Sequence, residues 1–286
     1  MYNKKMITDQ FNRIFKRIKH KFVRETSKLR LVSLGKIIEK LRELPDFPSS
    51  ACTNSQYLDL TLLGCRETHT LLRDATRRDI RINPDKTYRF EPTLSSDKLL
   101  SLFNKYGSDK SNKHNYHELY GYLLSKSTKE LRAILEIGLG TNNPDVPSNM
   151  GTGGHPGASL RAWKDFSPEC QVFGADIDER ILFTEERIQT FQLDQLSDES
   201  WGNFLKQVGD QKFDLIIDDG LHSPSANLNT IKFLINYVAV NGFLIIEDVA
   251  ERSLPVWETF VDLSPTEWQV QIIKMRKAFV ICIQPS

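Results

Sequence analysis

The stretch Phe213-Asp-Leu-Ile-Ile-Asp-Asp-Gly-Leu-His222 decides the fold. Its first half is a short apolar run bounded by acids, the pattern of a strand buried on both faces of a parallel sheet. Its second half crowds Asp218, Asp219 and His222 around Gly220, where that strand would end. Buried charge without a partner is costly, so three ionisable groups at a strand mouth require a counter-charge or a ligand. In open α/β sheets, ligands sit at the carboxyl ends of the strands.

Similar strands surround it. Arg132–Gly140 is an apolar run that ends in Gly138 and Gly140, followed by a Gly- and Pro-rich loop over 141–157. A helix carrying Leu160, Trp163 and Phe166 then begins near Ala158. Glycines after a strand let backbone approach a ligand, and the loop-to-helix junction presents free N–H groups. The dinucleotide fingerprint G-x-G-x-x-G is incomplete, because the third glycine is missing. A second strand, 171–178, ends in Asp176 and Asp178. An acid there is placed to accept both ribose hydroxyls of an adenosine-containing ligand. A third strand ends at Asp194 and Gln195, and a fifth runs Phe243–Asp248. Trp268–Ile273 and Ala278–Ile283 read as an antiparallel hairpin.

Composition narrows the classes. The chain has 286 residues, 40% hydrophobic and 26% charged, with a formal net charge of +1. That is ordinary globular usage, with no overall charge bias toward nucleic acid. Cys52, Cys65, Cys170 and Cys282 are scattered without a C-x-x-C pair, which argues against a zinc site or a disulfide framework. With no apolar signal-like stretch and no run of membrane-span length, a cytoplasmic location is expected.

Residues 1–44 are basic and helical in character. Phe11, Ile14, Phe15, Ile18 and Phe22 share one face, and Arg13, Lys16, Arg17, Lys19, Lys21 and Arg24 share the other. Such a helix lies on an anionic membrane surface, or packs on its own domain or a second subunit. The expected organisation is therefore a mainly helical accessory region over 1–95 and an α/β domain over 96–286. A homo-oligomer and peripheral membrane contact through 1–30 are the associated expectations. The stretch Tyr106–Tyr120 is dense in hydrogen-bonding side chains, and reads either as a pocket wall or lid or as a solvated loop.

If the fourth and fifth strands are neighbours, Asp219 meets Glu247 and Asp248 at one sheet edge. Gathered carboxylates repel unless a cation sits among them, and hard oxygen ligands suit Mg²⁺. The bland alternative has these acids capping helices or pairing with Arg252 and Lys232. His222 lies beside this edge, and its unperturbed pKa suits a general base.

Five parallel strands closed by a reversed seventh is the arrangement of the class I S-adenosylmethionine (SAM)-dependent methyltransferases, a Rossmann-like seven-stranded sheet. More narrowly, the chain resembles the metal-dependent macrolide sugar O-methyltransferases of mycinamicin and tylosin type and, more loosely, the cephalosporin-hydroxylase-like group. The motifs are Tyr106-Gly-Ser-Asp-Lys110 with His114 and Tyr116, Leu135–Gly140, Gly157–Trp163, Gly174–Asp176, Ile217–His222 and Ile246–Asp248. The first hundred residues carry no such resemblance, and Leu221 stands where that family usually has Ser. The resemblance implies that Asp219, Glu247 and Asp248 hold Mg²⁺ and that His222 deprotonates a sugar hydroxyl. It also implies a SAM site lined by Glu136, Gly138, Gly140, Asp176, Asp194 and Gln195, with Tyr106, Ser108 and Asp218. The expected acceptor is a sugar-containing small molecule or glycan. A catechol-like or other small acceptor remains open, as does a non-catalytic membrane-associated protein with a degenerate nucleotide pocket. An NAD enzyme is disfavoured by the missing glycine and the closing hairpin.

Overall fold

The computed structural model describes residues 90–126, 130–146 and 148–285. The basic helix, the membrane contact and nearly all of the expected 1–95 accessory region lie outside the described residues. Among the described residues, no helix is long and apolar enough to cross a membrane.

Eight strands form one sheet: β1 (Ala133–Ile137), β2 (Gln171–Asp176), β3 (Thr184–Glu185), β4 (Ile188–Gln192), β5 (Phe213–Asp218), β6 (Val238–Val249), β7 (Gln269–Lys274) and β8 (Phe279–Gln284). Their order is β3-β4-β2-β1-β5-β6-β8-β7. The central five, β4-β2-β1-β5-β6, are parallel, while β8 runs antiparallel between β6 and β7. The expected reversed last strand is therefore present. The seven-strand count needs one correction: the two-residue edge strand β3 adds an eighth, antiparallel to β4. Strand β6 also starts earlier than expected, at Val238, and runs through Asn241, whose φ is 65°.

Among the described residues, six α-helices flank the sheet. Helix α1 (Leu94–Tyr106) starts from Thr93. Thr93 and Ser96 exchange side-chain-to-backbone hydrogen bonds as a capping box, and Gly107 ends the helix in left-handed conformation. Helix α2 (Tyr116–Lys126) buries Tyr116, Leu119, Tyr120 and Leu123, spaced along one helical stripe. Helix α3 is Ala158–Phe166, α4 Asp198–Val208, α5 Pro224–Leu234 and α6 Leu254–Leu263. Ser197 and Ser223 cap α4 and α5, and Pro224 occupies the first turn of α5.

Trp163 of α3 is fully buried and takes Phe103 and Tyr120 edge-on at 5.4 and 5.1 Å, locking α1, α2 and α3 together. These helices share a core with Ile134, Leu215, Ile217 and Ile245, which project from alternate positions of β1, β5 and β6. That alternation fixes where the acids go. Register pairs Glu136 with Ile217 and Ile217 with Ile245, so Glu136, Asp219 and Glu247 fall on the face covered by α1–α3. Asp218 falls on the opposite face, toward α5.

Candidate active site

Strand order reverses between β1 and β5, and there the backbones of Gly138 and Asp219 almost touch. Gly138 has φ +89°, and a Cβ on it would lie 2.1 Å from the Asp219 carbonyl oxygen. Glycine is required at this position because the neighbour is backbone in a close approach.

On one side of the switch point lies the β1/β2 crevice. Asp176 is buried; its Oδ2 accepts the Leu139 N–H at 2.7 Å and its Oδ1 the Asp178 N–H at 2.9 Å. Burial pushes its carboxyl above the ordinary range, partly offset by those amides. Asp178 accepts from Thr141 Oγ1 at 2.5 Å, Asn143 Nδ2 at 2.6 Å and Arg180 Nε at 2.6 Å, pinning the start of the long loop to the end of β2. Met150 of the same loop rests its Sδ against Gly140, where a Cβ would meet it at 2.1 Å. Ile177 and Leu196, just beyond the ends of the paired strands β2 and β4, are exposed apolar side chains.

The remaining expected cofactor residues are spread more widely. Gln195 is buried, donates to Asp218 Oδ1 at 2.9 Å and Thr230 Oγ1 at 3.0 Å, and accepts the Leu221 N–H at 2.9 Å. Asp218 also accepts from Asn227 Nδ2 at 3.0 Å, so it ties the segment after β4 to β5 and α5. Asp194 closes its own turn by accepting the Leu196 N–H. Tyr106 donates to Asp165 on α3, and the buried Ser108 lies in the connector after α1. Glu136 is 1% exposed, accepts from Ser159 Oγ at 2.7 Å and Trp163 Nε1 at 3.2 Å, and faces Lys110. The structure thus gathers Asp176, Gly138 and Gly140 at one crevice, and gives Glu136, Asp218 and Tyr106 protein partners of their own.

On the other side lie the ends of β5 and β6. Asp219, His222 and Asp248 each offer a ligating atom within 4.8 Å of the others. His222 Nε2 lies 4.0 Å from both Asp219 Oδ1 and Asp248 Oδ2. His222 and Asp248 both adopt left-handed backbone, with φ 53° and 52°. Such strain persists where surrounding structure enforces it, and it concentrates at functional sites. At Asp248 it coincides with a register shift against β8 between Ile246 and Val249. Simple pleating would send Asp248 to the face opposite Glu247; the irregularity turns its carboxylate back toward α2. There Tyr116 donates to Asp248 Oδ1, and His114 Nδ1 lies 3.1 Å from the same oxygen. Burial raises the Asp248 carboxyl, but His114 and Tyr116 outweigh it and hold the group below the ordinary range.

Glu247 points inward. It is 1% exposed, and Tyr120 donates to one of its oxygens while Lys110 donates to the other. The same Lys110 ammonium lies 2.6 Å from Asp219 Oδ2 and 3.3 Å from Glu136 Oε1. Burial pushes the carboxyls of Glu247 and Asp219 upward, opposed by Lys110. The sequence expectation grouped Asp219, Glu247 and Asp248. The structure brings Asp219 and Asp248 together beside His222, with Glu247 deeper and joined to Asp219 through Lys110. Lys110, His114, Tyr116 and Tyr120 were not expected as partners of these acids, although three of them stand in the quoted motif. The suggested pairings with Lys232 and Arg252 do not form: Lys232 bonds Asp198 and Arg252 is exposed. With Lys110, Ser111, His114, Asn115, Tyr116 and Tyr120 buried, the stretch 106–120 packs over the acids rather than forming a solvated loop.

No family model matches the chain. It superposes on the MycE methyltransferase from the mycinamycin biosynthetic pathway, solved with Mg, SAH and mycinamycin VI. The TM-score is 0.51 at 24% identity, covering 66% of this chain and 53% of that one. This is a class I methyltransferase fold. Among curated proteins, the chain is 37% identical over 140 residues to the mycinamicin VI 2''-O-methyltransferase of Micromonospora griseorubida, covering 47% of this chain and 34% of that enzyme. It is 30% identical over 139 residues to the 8-demethyl-8-(2-methoxy-alpha-L-rhamnosyl)-tetracenomycin-C 3'-O-methyltransferase of Streptomyces olivaceus, covering 48% and 32%. The demethylmacrocin O-methyltransferase of Streptomyces fradiae matches at 33% over 119 residues, 41% of this chain and 27% of that one. The chain spans about a third of the length of these relatives. The similarity to these sugar O-methyltransferases therefore covers only part of each relative.

Proposed function

We propose that this chain catalyses SAM-dependent, divalent-metal-dependent O-methylation of a sugar hydroxyl on a glycosylated small molecule. The observation that carries this reading is the Asp219–His222–Asp248 cluster opening beside a glycine-lined crevice at the switch point of the sheet. The names of the similar curated proteins supply the acceptor class.

Both expected groups fit the residues present. The cluster offers two carboxylates and an imidazole, all partly exposed, and the surrounding carboxylates outnumber the one buried lysine. That excess of negative charge and the preponderance of oxygen donors suit Mg²⁺ or Mn²⁺. Asp176 spends one lone pair of each oxygen on a backbone amide and keeps the others for ribose hydroxyls. Ile177 and Leu196 provide apolar walls for a flat purine.

SAM supplies a methyl group already activated on a sulfonium, and the divalent ion supplies positive charge that acidifies a nearby acceptor hydroxyl. The chain's own residues do the rest. Asp219, Glu247 and Asp248 would hold the ion, with Asp248 kept anionic by His114 and Tyr116. His222 Nε2, aimed at the same space, takes the hydroxyl proton as the oxygen attacks. The strained backbone of His222 and Asp248 fixes that geometry before the acceptor arrives. Titration calorimetry with SAH and with NAD, each with and without EDTA, tests the reading. SAH should bind and NAD should not; binding of NAD alone refutes the assignment.

A further inference from the structure

We infer that Gln195 is a positioning residue for His222: its side-chain amide holds the Gly220–Leu221 turn that presents the imidazole to the cleft, instead of contacting the cofactor. The inference rests on the reading of His222 as general base and adds to it.

Gln195 follows β4 and is 6% exposed. Its carbonyl accepts from Trp201 Nε1 of α4 at 3.0 Å and from Asn229 Nδ2 of α5 at 2.8 Å, so its backbone is fixed on two sides. The side-chain amide turns toward the end of β5, where three neighbours define its orientation. Asp218 is fully buried, and its carboxylate accepts from Nε2 at 2.9 Å. Thr230 Oγ1 donates to the Ala226 carbonyl, which leaves that oxygen to accept from Nε2 at 3.0 Å. Oε1 then remains for the Leu221 N–H, at 2.9 Å. Two acceptors and one donor require a group that can both donate and accept. Glutamate would set a second carboxylate against Asp218, and methionine would satisfy none of the three.

The consequence falls on His222. The Asp219 N–H is held by the Ile137 carbonyl at 2.8 Å, the Gly220 N–H by Asp218 Oδ1 at 3.2 Å, and the Leu221 N–H by Gln195. Gly220 passes so close that a Cβ on it would lie 2.2 Å from Gln195 Oε1. On the far side, Ser223 caps α5. His222 therefore sits between two anchored points, with φ at 53°. A non-glycine residue keeps left-handed backbone only where its surroundings enforce it. The Leu221 amide adjoins His222, and its acceptor comes from 26 residues earlier in the chain.

Nuclear magnetic resonance of the full chain, labelled with ¹⁵N at histidine and leucine, tests this beside calorimetry with SAH. Of the six histidines, His222 is the one whose ring signal disappears in His222→Ala. In Gln195→Met the His222 ring signal should move or split. The Leu221 amide should exchange about tenfold faster, the equivalent of one lost hydrogen bond. SAH affinity should equal that of the wild-type chain. A residue that only stabilised the fold would lower the melting temperature and leave the His222 signal in place. An unmoved His222 signal overturns the inference. So does a loss of SAH affinity on the order of tenfold, since the side chain would then be a cofactor ligand. If Gln195→Met shows no cooperative melt, Thr230→Val decides, because it unties Nε2 without touching the turn: faster Leu221 exchange supports the role and unchanged exchange overturns it. A wild-type chain that binds no SAH refutes the methyltransferase reading, while the two magnetic-resonance readouts still decide whether Gln195 holds the turn.

Discussion

The crevices on the two sides of the switch point satisfy their acids by different means. At the β1/β2 end, Asp176 is held by backbone amides of residues 139 and 178, and Asp178 by side chains of the adjoining loop and turn. At the β5/β6 end, Glu247 and Asp248 are held by Lys110, Tyr120, Tyr116 and His114, more than a hundred residues earlier in the chain. The first crevice is built largely from what strand and loop geometry provide, and the second is a tertiary assembly. A backbone cradle changes little with sequence, whereas an assembled acid cluster can be tuned by single substitutions.

Substitutions at the assembled end should have the largest effect and should spare the other crevice. His222→Ala is expected to lower methyl transfer by ~10²–10⁴-fold while SAH affinity, measured by calorimetry, stays unchanged. Loss of both together would break the separation between the two sides. Asp248→Asn should raise the Mg²⁺ concentration needed for half-maximal activity by on the order of 10–100-fold, read from a metal titration. An unshifted titration would remove Asp248 from the ligand set.

The next prediction addresses the point where the crevices meet. Gly138→Ala places a methyl group against the Asp219 carbonyl at positive φ, and should cost about 3 kcal/mol in denaturant unfolding. An unchanged midpoint would show that the contact relaxes freely. Tyr120→Phe should cost ~1–3 kcal/mol, because a buried Glu247 oxygen loses a donor. The smallest effect concerns the core beneath both sides. Burial pushes the thiols of Cys170 and Cys282 up to about 12. Thiolate is therefore scarce at pH 8, and site-resolved mass spectrometry should find both unalkylated by iodoacetamide until the fold is denatured.

The same contrast explains what could be read in advance. Strands β1, β2 and β5 announce themselves as short apolar runs, and Gly138 and Asp176 follow from their positions at strand ends. The edge strand Thr184–Glu185 has too few residues to form a pattern. Glu247 and Asp248 illustrate a subtler failure. Adjacent strand residues face opposite ways, so their grouping on one edge needed the irregularity at Asp248, which leaves no mark in composition. Lys110 was visible as part of a polar stretch and of a quoted motif, with no partner assigned to it. The available signal was an electrostatic one: several acids at buried strand ends, whose nearest cations in sequence, Arg252 and Lys232, turn out to lie elsewhere. That signal calls for a partner but does not say which lysine answers it.

Arg276 extends the dependence to the opposite part of the sequence. Through Asn112 and Asn115 it fastens the Lys110 connector to the β7–β8 turn, and β8 inserts antiparallel beside β6 at one side of the parallel core. During synthesis, the glycine-lined crevice can therefore take shape as soon as β5 has docked. The acid cluster must wait for the hairpin that fastens the Lys110 connector.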